Sequence, residues 1–238
     1  MLSAAGPTHA GPVRIPMEHG FSPYTDNGGT TLAIAGDDYV IVAGDTRQSE
    51  GYSINTRYCP KVFKLDNNCV LATGGMAADG QNLVRRLKQS IEQYHHVHAK
   101  TMSPSALAQL LSVVLYGKRH FPYFVWNTLG GLDADGSGWV YSYDPVGNVE
   151  KRKWACAGSA GHLIMPFLDA KIGHHHQSQI DAKTEGKPGS VPFDTAMKYT
   201  KDAFTSATER DIYTGDLLEI FVIRKSGVTV EQIPLKRD

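Results

Sequence analysis

Ten histidines and three cysteines are the side chains of this 238-residue sequence best suited to hold a metal or attack an electrophile. Two histidine clusters stand out, His95-His96-Val97-His98 and His174-His175-His176. Imidazoles can ligate zinc, but a native site needs fixed geometry and outer partners that orient each ring. The first cluster ends an amphipathic helical pattern and the second sits in a polar loop, so neither is expected to bind metal. Cys59, Cys69 and Cys156 are odd in number, widely spaced and without a C-x-x-C arrangement. They argue against a disulfide framework and a cysteine-based zinc site, and they fit a reducing compartment. No metal and no cofactor is expected.

Charge and hydropathy narrow the class further. The 24 Lys and Arg are balanced by 24 Asp and Glu, which argues against a nucleic-acid partner because phosphate binding relies on clustered cations. No apolar run approaches the ~20 residues of a membrane-spanning helix. The first twenty residues are broken by Gly and Pro and contain no secretory core of ~7–15 apolar residues.

The elements that must position any chemistry follow from periodicity. Residues 1–28 read as a loose extension ending in Asp26-Asn27-Gly28-Gly29, and residues 29–238 as one domain. Thr30–Ala35 and Tyr39–Ala43 read as strands around the turn Gly36-Asp37-Asp38. The second is apolar on both faces, so it must lie inside a layered fold. Residues 46–60 read as irregular. Lys61–Leu65 and Cys69–Thr73 form a second hairpin around Asp66-Asn67-Asn68. Helices are expected over 77–98, with Leu83, Leu87, Ile91, Tyr94 and His98 on one stripe, and after Ser103-Pro104, an N-cap followed by proline at the first helical position. Strands then recur at 124–132, 139–143 and near 149–157. Helices follow near 160–172 and 193–209, separated by a loop at 174–191. A closing strand pair spans 217–224 and 228–235. Short turns imply antiparallel pairing, and grouped helices argue against a doubly wound sheet. The expected class is α+β: a four-layer αββα sandwich of two antiparallel sheets.

Five fragments carry a resemblance in their order along the chain. They are Gly29-Thr30-Thr31-Leu32-Ala33-Ile34, Ile41-Val42-Ala43-Gly44-Asp45-Thr46-Arg47, Thr73-Gly74-Gly75 with Ala78-Asp79, Gly158-Ser159-Ala160-Gly161, and the run from Glu209 to Asp216. Together they resemble the β subunits of the 20S proteasome, which belong to the N-terminal-nucleophile hydrolases. Phe21-Ser22-Pro23-Tyr24, Phe121-Pro122-Tyr123, Leu129-Gly130-Gly131-Leu132-Asp133 and Tyr143-Asp144-Pro145-Val146-Gly147 resemble the non-catalytic β6 branch, also called β type-1.

The resemblance implies a threonine chemistry. A threonine freed by self-cleavage after glycine offers its hydroxyl as nucleophile and its α-amine, with a reference pKa of ~7.7–8.0, as general base. A lysine lowers the hydroxyl's pKa, an aspartate holds that lysine, and a backbone N–H of the Gly-Gly turn stabilises the oxyanion. Carried over, Asp45 matches the aspartate, Lys61 the lysine and Gly75 the oxyanion glycine; Ser159, Asp211 and Thr214 match the supporting polar set. Lys61 follows Asp45 by sixteen positions, and Asp45 follows Gly29 by the same count, which is the family's spacing. The nucleophile position is therefore Gly29, which has no side chain. Thr30 lies one step along the strand and should face away from Lys61. Thr31 recovers the face but sits about 6.6 Å further on at ~3.3 Å per residue.

Two readings stay open. The first, implied by the β6 resemblance, is a non-catalytic subunit of a particle in which seven β subunits form a ring, two rings stack, and α rings cap the ends. It would have ring neighbours β5 and β7 in a twenty-eight-subunit assembly, residing in cytoplasm and nucleus and acting on polypeptides through its partners. Asp133 is the candidate contribution to the substrate pocket of neighbouring β5. The second is an active threonine peptidase that uses Thr30 after cleavage of the Gly29–Thr30 bond. A free-standing metal module built on the histidines is a remote third.

Overall fold

The computed structural model describes residues 20–66, 68–173 and 190–238. Among the described residues, most strands form two five-stranded antiparallel sheets, and β3 (Gln48–Glu50) and β4 (Ser53–Thr56) pair apart from them. The first has the order β10-β1-β2-β11-β12, with β1 Thr30–Ala35, β2 Val40–Asp45, β10 Trp154–Gly158, β11 Leu217–Arg224 and β12 Gly227–Pro234. The second runs β5-β6-β7-β8-β9, with β5 Val62–Asp66, β6 Cys69–Gly75, β7 Val125–Leu132, β8 Gly138–Tyr143 and β9 Val149–Arg152.

Three apolar layers hold the sandwich together, because every inner strand buries both faces. Between the sheets lie Ala33, Val40, Val42, Val62, Val70 and Ala72. Small side chains here let the sheets approach closely: a Cβ on Gly130 would stand 2.5 Å from Val42 Cγ2. The outer face of the second sheet packs Leu71, Val125 and Leu129 against α1 (Ala77–His98) and α2 (Pro104–Tyr116). The outer face of the first packs Leu32, Ile41 and Ile220 against α3 (Gly161–Leu168) and α4 (Phe193–Thr208). The αββα layering read from the sequence is the layering found.

Local signals account for most boundaries. Ser103 Oγ accepts the Ala106 N–H at 3.2 Å and Pro104 opens α2, which satisfies one of the orphan donors of a helix start. On α1, Leu83, Leu87 and Ile91 are buried as the stripe predicts, Tyr94 is half-buried and His98 is exposed. Two expectations need correction. Residues 46–60 contain a short hairpin, β3 (Gln48–Glu50) with β4 (Ser53–Thr56); its strands are short and mostly polar, so they lack the alternation that marks a strand. The strand expected near 149–157 is two strands in different sheets. The chain crosses over at Lys153, whose carbonyl accepts the Ala35 N–H at 2.7 Å. No glycine or proline marks that break.

Residues 1–19, Asn67 of the expected turn, and 174–189, with His174, His175 and His176, lie outside the described residues. In the first histidine cluster, His95 Nε2 lies 3.1 Å from Asp66 Oδ2, and the His98 ring packs on Tyr94 at 4.4 Å. Among the described residues no group of three or more His, Cys, Asp or Glu could hold a metal ion, and no helix is long and apolar enough to cross a membrane.

Candidate functional site

Asp45 closes β2 and Lys61 immediately precedes β5, so the face-to-face sheets bring the two together. Asp45 is fully buried and Lys61 nearly so. Lys61 Nζ lies 3.3 Å from Asp45 Oδ1 and donates to the backbone carbonyls of Asp45, at 3.1 Å, and Arg47. Asp45 also accepts N–H bonds from Thr30, at 2.8 Å, and Gly215, at 3.2 Å. Burial pushes its carboxyl above the usual carboxylate range, while the Lys61 ammonium and both N–H groups pull the other way.

Gly29 faces this pair. A Cβ built there would overlap Lys61 Cε and lie 2.5 Å from Nζ and 2.9 Å from Asp45 Oδ1. The backbone at Gly29 has φ +84°, a left-handed conformation that glycine adopts without strain. The residue sixteen positions before Asp45 thus aims at the lysine, and it has nothing to present.

The threonines behave as strand alternation requires. Thr30 Oγ1 lies 2.7 Å from Thr214 Oγ1 and accepts the Ala160 N–H at 3.0 Å. Asp211 Oδ2 accepts from Ser159 Oγ at 2.5 Å and from Thr214 Oγ1 at 2.6 Å. Thr214 spends its proton on Asp211, so Thr30 must donate to Thr214. Its hydroxyl is engaged in this relay and not directed at Lys61. Thr31 Oγ1 is buried without a hydrogen-bond partner among the described residues. Ser159, Asp211 and Thr214 lie together, with the Ser159 N–H donating to the Gly29 carbonyl at 3.0 Å.

Sequence reading missed what precedes Gly29. Asn27 N–H donates to the Gly75 carbonyl at 3.2 Å, and Ser49 N–H donates to the Asn27 carbonyl at 3.1 Å. The Asn27 side chain donates to Ser49 O and accepts the Ala77 N–H at 2.8 Å. Residue 27 is therefore bonded on both sides, between β3 and the end of β6, as an inserted strand would be. An Asn before two glycines reads only as a turn, and no local signal separates the two roles. A cleft of about 630 Å³ adjoins Gly28, Gly29, Gly75 and Ser159.

This architecture and spacing have counterparts among known proteins. A family model described as "Proteasome subunit" matches residues 25–223. Proteasome subunit beta type-6 of Saccharomyces cerevisiae is 47% identical over 228 residues, covering 94% of both chains. Proteasome subunit beta type-1 of Danio rerio is 44% identical over 225 residues, covering 94% of this chain and 92% of the relative. Its namesake in Arabidopsis thaliana is 45% identical over 218 residues, covering 92% and 97%. The chain belongs to the proteasome β-type subunit family.

Two further features of this proteasome-family chain bear on its site. Arg47, whose carbonyl holds Lys61, sends its own guanidinium to Asp216 at 2.7 Å, and Arg57 reaches the other oxygen at 2.6 Å. Burial opposes ionisation of Asp216, but the two guanidiniums together outweigh it and hold the carboxyl below its usual range. Sequence reading quoted Arg47 and Asp216 without pairing them, because they are 169 positions apart. Asp133 is not brought to this centre. It follows the end of β7 opposite the Gly75–Val125 pair, roughly 25 Å along a strand at ~3.3 Å per residue. Its carboxylate lies 3.7 Å from Lys151 Nζ.

Proposed function

We propose that this chain is a non-catalytic, structural β subunit of the 20S core particle, contributing to ring assembly and so to ATP- and ubiquitin-linked protein degradation. The observation that carries the reading is the side-chain-free Gly29 set directly against Lys61 and Asp45. A threonine peptidase needs a hydroxyl there within about 2.6–3.2 Å of its activating group, and Thr30 turns its hydroxyl into the Thr214–Asp211 relay instead. Asn27, bonded to Gly75 and Ser49, ties the chain upstream of Gly29 to β3 and β6. Gly29, Asp45, Lys61, Gly75, Ser159, Asp211 and Thr214 then form a vestigial site whose remaining work is structural. Residues 1–28 act as a propeptide-like extension of a domain spanning 29–238. Tyr24, stacked on Phe121 at 5.6 Å and donating to the Pro122 carbonyl, supports an extension fastened to that domain.

Partners on this reading are the α and β subunits of a twenty-eight-subunit particle, with β5 and β7 beside it, in cytoplasm and nucleus. Intact-mass measurement of the chain from the purified particle tests the proposal. A mass retaining residues upstream of Gly29 is expected. A chain that begins at Thr30 and is labelled by an electrophile directed at N-terminal threonine would establish the peptidase reading in its place. Asp133 remains the proposed contribution to the neighbour's substrate pocket. Its exchange for alanine is expected to alter the assembled particle's preference across a peptide panel at the β5 site, and an unchanged preference removes that role.

A further inference from the structure

Two sheet edges meet beside Gly29. β9 ends the second sheet and β10 ends the first, and the chain passes directly from one to the other through Lys153. Glu150 and Arg152 of β9 and Ala157 and Gly158 of β10 line the cleft of about 630 Å³ that adjoins Gly29. Trp126 of β7 lines it too, with an indole left 44% exposed. Its charges are mostly negative: the carboxylates of Asp26, Asp144 and Glu150 share it with one guanidinium, Arg152, and the His162 ring. Glu150 pairs with Arg152. Asp26 Oδ1 accepts the Gly28 N–H at 2.9 Å, and Asp144 Oδ1 accepts the Val146 and Asn148 N–H groups at 3.1 and 2.8 Å. Among the described residues neither Asp26 nor Asp144 has a cationic partner, and each keeps its second oxygen for a ligand.

Two buried hydroxyls adjoin the same space. Ser142 lines the cleft and pairs across the ladder with Thr128 of β7; Ala157 lines it and pairs with Thr31 of β1. Directly paired residues point to one face of a sheet. Here that is the face between the sheets, because Gly130, two positions from Thr128, abuts Val42, and Ala33, two positions from Thr31, belongs to the inter-sheet layer. Thr128 and Thr31 are 0% and 1% exposed, and neither hydroxyl has a hydrogen-bond partner among the described residues. A buried hydroxyl without a partner is costly. The space between the edges therefore offers acceptors in excess, carboxylates and hydroxyls together, with an aromatic ring beside them.

We propose that this cleft binds a basic side chain, arginine foremost, carried on an extended polypeptide segment. A guanidinium has five N–H donors and no acceptor, which matches a wall of acceptors, and its plane stacks on an indole. Asp144 and Glu150 supply the charge that selects it. The open edge of β10 lets the backbone of the same segment pair as an added strand. On the non-catalytic reading, on which this assignment rests, a segment so held is not cut, because residue 29 brings no hydroxyl to it.

The test titrates the full-length chain by calorimetry with the capped peptide Ala-Ala-Arg-Ala-Ala and with the same peptide carrying citrulline, the neutral isostere, in place of arginine. The arginine peptide is expected to bind at least about tenfold more tightly, since hydrogen bonds between ionised partners are roughly twice as strong as neutral ones, and added salt is expected to narrow that preference. Asp144→Asn keeps Oδ1 for the Val146 and Asn148 N–H groups, and Glu150→Gln changes an exposed side chain. Each is expected to weaken the arginine peptide by about threefold or more and to leave the citrulline peptide within about twofold, with thermal melting showing that both variants fold. Equal affinity for the two peptides, or no binding of either, overturns the proposal. Arginine affinity unmoved by both variants overturns its assignment to this cleft. Mass spectrometry of the recovered peptide keeps the two readings apart: a peptide cut after arginine would overturn the non-catalytic reading, whereas an intact peptide that does not bind overturns only the cationic site.

Discussion

Exchanging Lys61 for methionine is expected to lower the unfolding free energy by about 3–5 kcal/mol, the cost of removing one partner from a buried ion pair. Methionine replaces the apolar stem but not the ammonium. Asp45, fully buried, would keep the Thr30 and Gly215 N–H bonds and lose its counter-charge. The carbonyls of Asp45 and Arg47 would lose their donor as well. The pH dependence has a definite sign. With no cation nearby, burial raises the folded-state pKa of Asp45 above its unfolded value, so the folded chain binds that proton more tightly. The deficit is then largest above the folded pKa and shrinks as pH falls toward the unfolded pKa of ~3.9. Adding Asp45→Asn to Lys61→Met is expected to recover part of the loss, because a neutral amide needs no counter-charge. Urea titration followed by tryptophan fluorescence measures all three chains, and an unmoved midpoint for Lys61→Met would falsify the structural role given to the pair.

Gly29→Ala should also destabilise, by about 2–5 kcal/mol, for two separable reasons. A side chain at φ +84° costs roughly 1–2 kcal/mol through contact with the following carbonyl. The new methyl also overlaps Lys61 Cε, and overpacking of this kind costs about 1–3 kcal/mol. Lysine tails can move, but this one is pinned by Asp45 and two carbonyls. The collision should therefore couple the two positions: in a Lys61→Met background the Gly29→Ala penalty is expected to fall toward its backbone part. Gly29→Thr places a larger, β-branched side chain at the same φ and against the same lysine, and is expected to destabilise at least as much as Gly29→Ala. Strictly additive losses in the double mutant would show that Gly29 and Lys61 do not press on one another.

Much of this could be read from residue pattern. Leu83, Leu87 and Ile91 announce α1, Ser103-Pro104 marks where α2 starts, and the two apolar faces of β2 require a layer on each side. The equal spacing from Gly29 to Asp45 to Lys61 led to the buried pair through the family resemblance, and strand alternation, a local rule that survives folding, placed Thr30 on the other face. The hairpin of β3 and β4 was illegible. Its strands are three and four residues long and mostly polar, so they show no alternation. The crossover at Lys153 was illegible for a related reason: both halves of the segment favour extended backbone, and only the competing edges of two sheets decide where one stops and the other begins.

The sequence by itself determined the layered fold, the family, and a residue without a side chain sixteen positions before Asp45, since each rests on periodicity or on residue identity at a fixed separation. Tertiary structure alone decided that Asn27 is held between Ser49 and Gly75 and that Arg47 and Arg57 converge on Asp216. Those contacts join residues far apart in the chain or on different strands. Their energies come from desolvation and from donors meeting acceptors, and neither exists until the sheets have closed.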